Sequence, residues 1–294
     1  MAPELTDRVR AWRDAGRMER IGGNSIHVHD SPGPGDALIL LHGFPSSSYD
    51  FRELLPHLAD RPVLTFDFLG FGLSDKPAGP HYSLFGQAGL VEELARRHLP
   101  GRRIFVAAHD MGTSVATELL ARDLHGNLGF DLAGVLLFNG SIVLERASLT
   151  PSQRLLRSPL GPLAARLSNR RVFRQQFGSL FSAEHPLSDA EADDQWALLC
   201  HNEGRIRGHD LIAYLDERVK FARRWHGAIR DWSGPLSLAW GMRDPVATTA
   251  VLEAVRELRP GIPCEELHEL GHYPQLEDPE RVAAVIRAAL DGAS

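Results

Sequence analysis

Three residues of this chain are placed to do chemistry together: Asp110, Asp244 and His272. Asp110 lies in I-F-V-A-A-H-D-M-G-T-S-V (Ile104 to Val115), an apolar β-like run, then a carboxylate among small residues, then a helical pattern. That is the layout of a nucleophile elbow, a strained strand-to-helix turn. It requires small residues two before and two after its tip, a condition met by Ala108 and Gly112. Asp244 follows the run L-S-L-A-W (Leu236 to Trp240), and His272 follows a strand read over Cys264 to Leu270. Residues just past strand ends converge at the carboxyl edge of an open α/β sheet. There Asp244 would fix the tautomer of His272 and steady its imidazolium. His268 is a rival base, but it falls inside the pattern of the last strand, whereas His272 follows a glycine at its end.

A carboxylate at the elbow tip, where Ser is usual, selects the electrophile. Its reference pKa of about 4 leaves it ionised at neutral pH, so it attacks without a general base. Attack on a saturated carbon gives an alkyl ester, which water can cleave at the carbonyl; a serine would give an inert ether. An epoxide or an organic halide is therefore the expected kind of substrate, with His272 activating the water of the second step. The oxyanion formed then would be held by the backbone N–H groups of Met111 and Phe44.

The elements that must position these residues alternate. Strands are read over Arg20 to Asp30 (two, joined at Gly22 to Ser25), Ala37 to Leu41, Pro62 to Phe68, the elbow strand and Leu132 to Phe138. Helices are read over Tyr49 to Leu58, Tyr82 to His98 and Met111 to Leu124. This rhythm predicts βαβ units and a mostly parallel sheet flanked by helices, an α/β fold. From about Gly140 to Trp232 it stops, and helical patterns with Pro and Gly breaks take over, too long for a loop. The expected organisation is a core over 1–139, an inserted helical cap over 140–232, and the rest of the core over 233–294, with helices at Val251 to Leu258 and Pro279 to Leu290.

Composition narrows the partners. A chain of 294 residues, 43% hydrophobic, can bury a large single core. A net charge of -6 without a long basic run points away from nucleic acid and from anionic membranes. Met1 to Arg20 has no continuous apolar stretch, so neither a signal peptide nor an anchor is expected, and a cytoplasmic location follows by default. Cys200 and Cys264 form no metal-binding or disulfide pattern. His27 and His29 share a strand face, as metal ligands can, but no third ligand accompanies them. The partner expected is a small molecule with an electrophilic saturated carbon, for a monomer or homodimer that uses no metal and no cofactor.

The motifs H-G-F-P (His42 to Pro45), H-D-M-G (His109 to Gly112) and Gly271-His272 resemble the epoxide hydrolase and haloalkane dehalogenase branch of the α/β-hydrolase superfamily. The longer strings H-G-F-P-S-S-S-Y-D-F, F-D-F-L-G-F-G-L-S-D-K-P, K-F-A-R-R-W and H-Y-P-Q-L-E-D-P are similar to the mesoderm-specific transcript proteins within it. The order nucleophile, acid, histidine is that superfamily's order. The resemblance implies an α/β-hydrolase fold with a cap and hydrolysis without metal or cofactor.

It also implies how a leaving group is held. Halide-holding N–H donors would stand at Met111 and Phe44, whose side chains offer none. The arginines of a fluoroacetate dehalogenase are replaced by Met111, Thr113 and Ser114. Epoxide hydrolases supply cap tyrosines, usually two; here the predicted cap holds Tyr214, with His201, His209 or Trp196 as substitutes for the second. Epoxide hydrolysis is thus preferred. The alternatives are a dehalogenase using Trp196 or Trp225, and a catalytically silent interaction protein. His109 should point away from the substrate, and Arg170, Arg171, Arg174, Arg223 and Arg224 read as a solvated cap face.

Overall fold

All five residues of the apolar run Ala37–Leu41 are buried because their strand lies deep in a sheet covered on both faces. In the computed structural model, which describes residues 3–79 and 82–293, α1 (Asp7–Ala15) precedes the hairpin β1 (Arg17–Ile21) and β2 (Asn24–Ser31). Gly22 and Gly23, at φ 57° and 86°, make its two-residue turn. The chain continues through β3 (Ala37–Leu41), β4 (Val63–Phe66), α2 (Leu84–His98), β5 (Arg103–His109), α3 (Met111–Leu124) and β6 (Asp131–Phe138). Seven helices follow before the sheet resumes: α4 (Pro151–Leu156), α5 (Gly161–Leu167), α6 (Arg170–Gly178), α7 (Asp189–Cys200), α8 (Gly204–Leu211), α9 (Tyr214–Lys220) and α10 (Ala222–Asp231). Then come β7 (Leu236–Gly241), α11 (Thr249–Leu258), β8 (Cys264–Leu267), α12 (Pro274–Glu277) and α13 (Pro279–Asp291).

Among the described residues the strands form one sheet of eight, in the order β1-β2-β4-β3-β5-β6-β7-β8. The β1–β2 and β2–β4 pairs are antiparallel and the rest parallel. Strand alternation splits the core in two. Ile39 and Leu41 face the apolar sides of α2, α3 and α11, while Leu38 and Leu40 face α13, with Val282, Ile286 and Leu290.

Two elements differ from expectation. Tyr49 to Leu58 is two 3-10 turns, Ser48–Phe51 and Leu55–Leu58, because Pro56 removes an N–H from any α-helix there. The last strand stops at Leu267, so His268 lies in a turn with its side chain 73% exposed, away from the site. Among the described residues no helix is long and apolar enough to cross a membrane.

Candidate active site

Asp110 ends β5 and heads α3 at φ 44°, ψ -110°, a conformation rare for a residue with a side chain. Neighbouring glycines make room for it. A Cβ on Gly112 would lie 2.5 Å from the Leu41 carbonyl oxygen, and one on Gly43 would lie 2.7 Å from Asp110 Cβ. The buried carboxylate is oriented by the loop after β3: Phe44 N–H donates to Oδ2 at 2.9 Å. The Met111 N–H stands in the first turn of α3, where amides have no partner within the helix.

His272 Nδ1 donates to Asp244 Oδ2 at 2.7 Å. Asp244 is held in turn by Asn139 Nδ2 (2.7 Å) on Oδ2 and by the backbone N–H groups of Val246 (2.7 Å) and Ala247 (2.9 Å) on Oδ1. Burial alone would pull the His272 pKa down, but the charge of Asp244 and its hydrogen bond outweigh it, and the pKa stands above 6.5. For Asp244, burial raises the pKa, but His272 and these donors hold it below the ordinary carboxylate value. With Nδ1 engaged, Nε2 is the nitrogen left for base work. Asn139 was missed by sequence reasoning, although its position just past β6 obeys the same strand-end rule that singled out the other three.

The ring of His109 is committed to the His272 loop. Its Nε2–H donates to the His272 carbonyl oxygen at 2.7 Å, while Gln275 Nε2 donates to its Nδ1 at 3.2 Å. Burial first, and His272 second, bring its pKa down to about 3, so it is a neutral strut beneath the loop. Glu277 ties that loop outward. It accepts from the N–H groups of Gly271 (2.9 Å), Tyr273 (3.3 Å) and Ser182 (3.0 Å), the last in the helical stretch between β6 and β7. The N–H of His272 itself donates to the Leu180 carbonyl oxygen at 2.9 Å.

Tyr214 and Arg218, four residues apart on α9, lie against the elbow. Tyr214 is 1% exposed, its ring 5.8 Å from that of Phe44, and its hydroxyl has no hydrogen-bond partner among the described residues. Burial, then the charge of Asp110, push its pKa well up against the pull of Arg218, so it stays a protonated donor. The Arg218 guanidinium lies over the Tyr214 ring at 4.7 Å. Its Nη2 donates to the Asp110 carbonyl oxygen (3.0 Å) and its Nε to Ser114 Oγ (2.7 Å). Sequence reasoning missed Arg218, since an arginine on a helix reads as a solvent-facing charge; its spacing from Tyr214 was the available signal.

A cavity of about 110 Å³ reaches His272 and Phe44 and is walled by Leu156, Phe173, Phe177 and Val246. Trp196 is one layer behind it, packed on Phe173 at 5.4 Å. The Trp225 indole N–H is engaged elsewhere, donating to Glu118 at 3.0 Å. His209 Nδ1 donates to the Ile206 carbonyl oxygen, and Arg170, Arg174 and Arg224 pair with Asp193, Asp189 and Glu118. His27 and His29 donate under α1 to the carbonyls of Arg13 and Trp12, and Trp12 stacks on His29 at 3.6 Å. Among the described residues no group of His, Cys, Asp or Glu could hold a metal ion.

A family model described as "Alpha/beta hydrolase family" matches residues 38–285, spanning the whole arrangement. The chain belongs to the α/β-hydrolase family. This α/β hydrolase is 56% identical over 275 residues to LipZ of Mycobacterium tuberculosis, covering 94% of this chain and 95% of that protein. It is 37% identical over 288 residues to the human mesoderm-specific transcript homolog protein, covering 94% and 86%, which bears out the resemblance read from its motifs. In fold it is similar to the haloalkane dehalogenase DatA from Agrobacterium tumefaciens, with 21% identity, a TM-score of 0.76, and coverage of 95% and 97%.

Proposed function

We propose that this α/β hydrolase opens epoxides to diols through a covalent ester on Asp110. Asp110 Oδ1 attacks the less hindered ring carbon, the C–O bond breaks, and the departing oxygen takes the proton of the Tyr214 hydroxyl. His272 Nε2 then removes a proton from water as the water oxygen attacks the ester carbonyl, and Asp244 steadies the imidazolium. The N–H groups of Phe44 and Met111 hold the oxyanion, which collapses as the proton of the added hydroxyl passes to the departing alkoxide, releasing the diol and restoring the carboxylate. The imidazolium returns its proton to the tyrosinate. The helices over 140–232 serve as a cap that keeps bulk water from the ester.

The observation that carries this reading is the buried Tyr214 hydroxyl beside the elbow, without a partner among the described residues, since a buried donor left without an acceptor is costly unless a ligand completes it. A dehalogenase is the second reading, drawn from the fold likeness to DatA. It is weakened by the placement of its indole donors, Trp225 on Glu118 and Trp196 behind Phe173. The test is the intact mass of a His272→Gln variant after exposure to epoxides and matched bromoalkanes, with Asp110→Asn as control. An adduct equal to the whole epoxide, absent from the control, is expected. An adduct from bromoalkanes alone, short by HBr, would transfer the assignment to the dehalogenase. No adduct from either panel would favour a silent interaction protein.

A further inference from the structure

The stretch from Ala147 to Ala183 has no acidic residue and carries six arginines, Arg154, Arg157, Arg166, Arg170, Arg171 and Arg174, in a chain of net charge -6. It also holds five of the eight large apolar side chains that stand most exposed among the described residues: Leu155 (45%), Leu160 (60%), Leu163 (55%), Leu167 (68%) and Val172 (39%). Helix α5 shows why they are outside. It buries Gly161 and Ala165, so Leu163 and Leu167, four residues apart, lie on the opposite side, with Leu160 one turn earlier on the same stripe. A Cβ on Gly161 would lie 2.0 Å from the Leu156 carbonyl oxygen, which fixes the inward side and leaves the leucines facing out.

Arg157, Arg170 and Arg174 are paired with Asp216, Asp193 and Asp189 of other helices. Arg154, Arg166 and Arg171 are exposed, with no carboxylate within 4.0 Å among the described residues. Leu156, Ala165 and Ser168 of the same stretch line the cavity that reaches His272, so this outer surface is the back of the cavity wall. An apolar stripe flanked by unpaired arginines is the composition of an interfacial helix face.

We propose that this face docks on an anionic lipid surface, leucines in the acyl boundary and Arg154, Arg166 and Arg171 among the phosphates. The net charge of the whole chain points the other way only as an average; the local surface decides attraction within a screening length. A second copy of the chain is a poorer occupant, because a two-fold contact would bring the two arginine-bearing faces together.

Flotation of the full chain with phosphatidylglycerol–phosphatidylcholine vesicles, against phosphatidylcholine alone, tests this without reading any activity. A failed reaction and a failed docking surface are therefore told apart. Binding to the anionic vesicles is expected, reduced about tenfold or more by Leu163→Ser with Leu167→Ser, by Arg154→Glu with Arg166→Glu and Arg171→Glu, or by high salt. The melting temperatures of these exposed variants should match the parent. No flotation, or flotation equal in parent and variants, overturns the proposal. A parent dimer that the leucine variant converts to monomer, with no flotation, gives the face to a second copy and overturns it as well.

Discussion

Asp244 accepts the hydrogen bond of His272 Nδ1, and its charge raises the pKa of that ring. If neutral His272 activates the water, the hydrolytic step strengthens as pH rises through the His272 pKa, which stands above 6.5. In an Asp244→Ala variant the charge and hydrogen bond that outweigh burial are gone. The pH–rate midpoint should then move to lower pH while the plateau rate falls by about 10³ or more. Single-turnover decay of the ester across pH measures both. In the proposed reaction Arg218 belongs to the other half. Arg218→Ala removes the donor to the Asp110 carbonyl and to Ser114 Oγ, so ester formation in the His272→Gln background should slow about 10- to 100-fold, with Arg218→Lys between the two. An unchanged trapping rate in Arg218→Ala would reduce the residue to packing. Asp110, Asp244 and His272 were legible because strand ends announce themselves in apolar runs; Arg218 was harder, because its four-residue spacing from Tyr214 puts the two on one helix face without saying that this face turns inward.

At the scale of elements, the elbow is a fit between β3, β5 and α3. Gly112→Ala would press a methyl group against the Leu41 and His42 carbonyl oxygens, at 2.5 and 2.7 Å, in backbone that cannot yield as a flexible side chain would. A loss of about 2 to 3 kcal/mol is expected in urea denaturation, with ester formation suffering alongside; a loss under about 0.5 kcal/mol would mean that α3 can slide outward. This glycine, the run Ala37–Leu41 and helix α3 from Met111 were readable because each obeys one strong local constraint. The segment from Tyr49 was not. Its apolar spacing suits an α-helix, but Pro56 and the Asp67 carboxylate, which accepts from the Ser48 N–H and hydroxyl, favour tighter turns, and the second of these is a long-range partner. The exposed leucines of α5 were hidden similarly, since only the packing of Gly161 and Ala165 tells which side of that helix faces out.

For the whole molecule, acid sensitivity should begin with histidines. His109 is fully buried and binds a proton only near pH 3, whereas in the unfolded chain it does so near 6.5. Its stabilising effect is complete above about 6.5 and is lost as pH falls toward 3, at about 1.4 kcal/mol per pH unit from this residue. His29 and His42, their pKa values also lowered by burial, act in the same direction. Asp50 acts the other way, since burial lifts its carboxyl to about 7, so the effect is read as a difference: between about pH 7 and pH 5 the urea midpoint of the parent should fall relative to that of His109→Gln. Parallel midpoints in parent and variant over that interval would show that the His109 ring finds water on protonation. A second property of the whole follows from Glu277, whose carboxylate gathers amides of the His272 loop and of Ser182. In the proposed mechanism both halves of the reaction lean on the helices over 140–232: Arg218 of α9 donates to the Asp110 carbonyl oxygen, and Ser182 and Leu180 bond the His272 loop and its base. When heat lifts those helices, the elbow loses Arg218 and Tyr214 as the histidine loop loses its tether. Warmed just below its melting temperature, the protein should therefore lose ester formation and ester breakdown together, falling silent without storing a half-finished product.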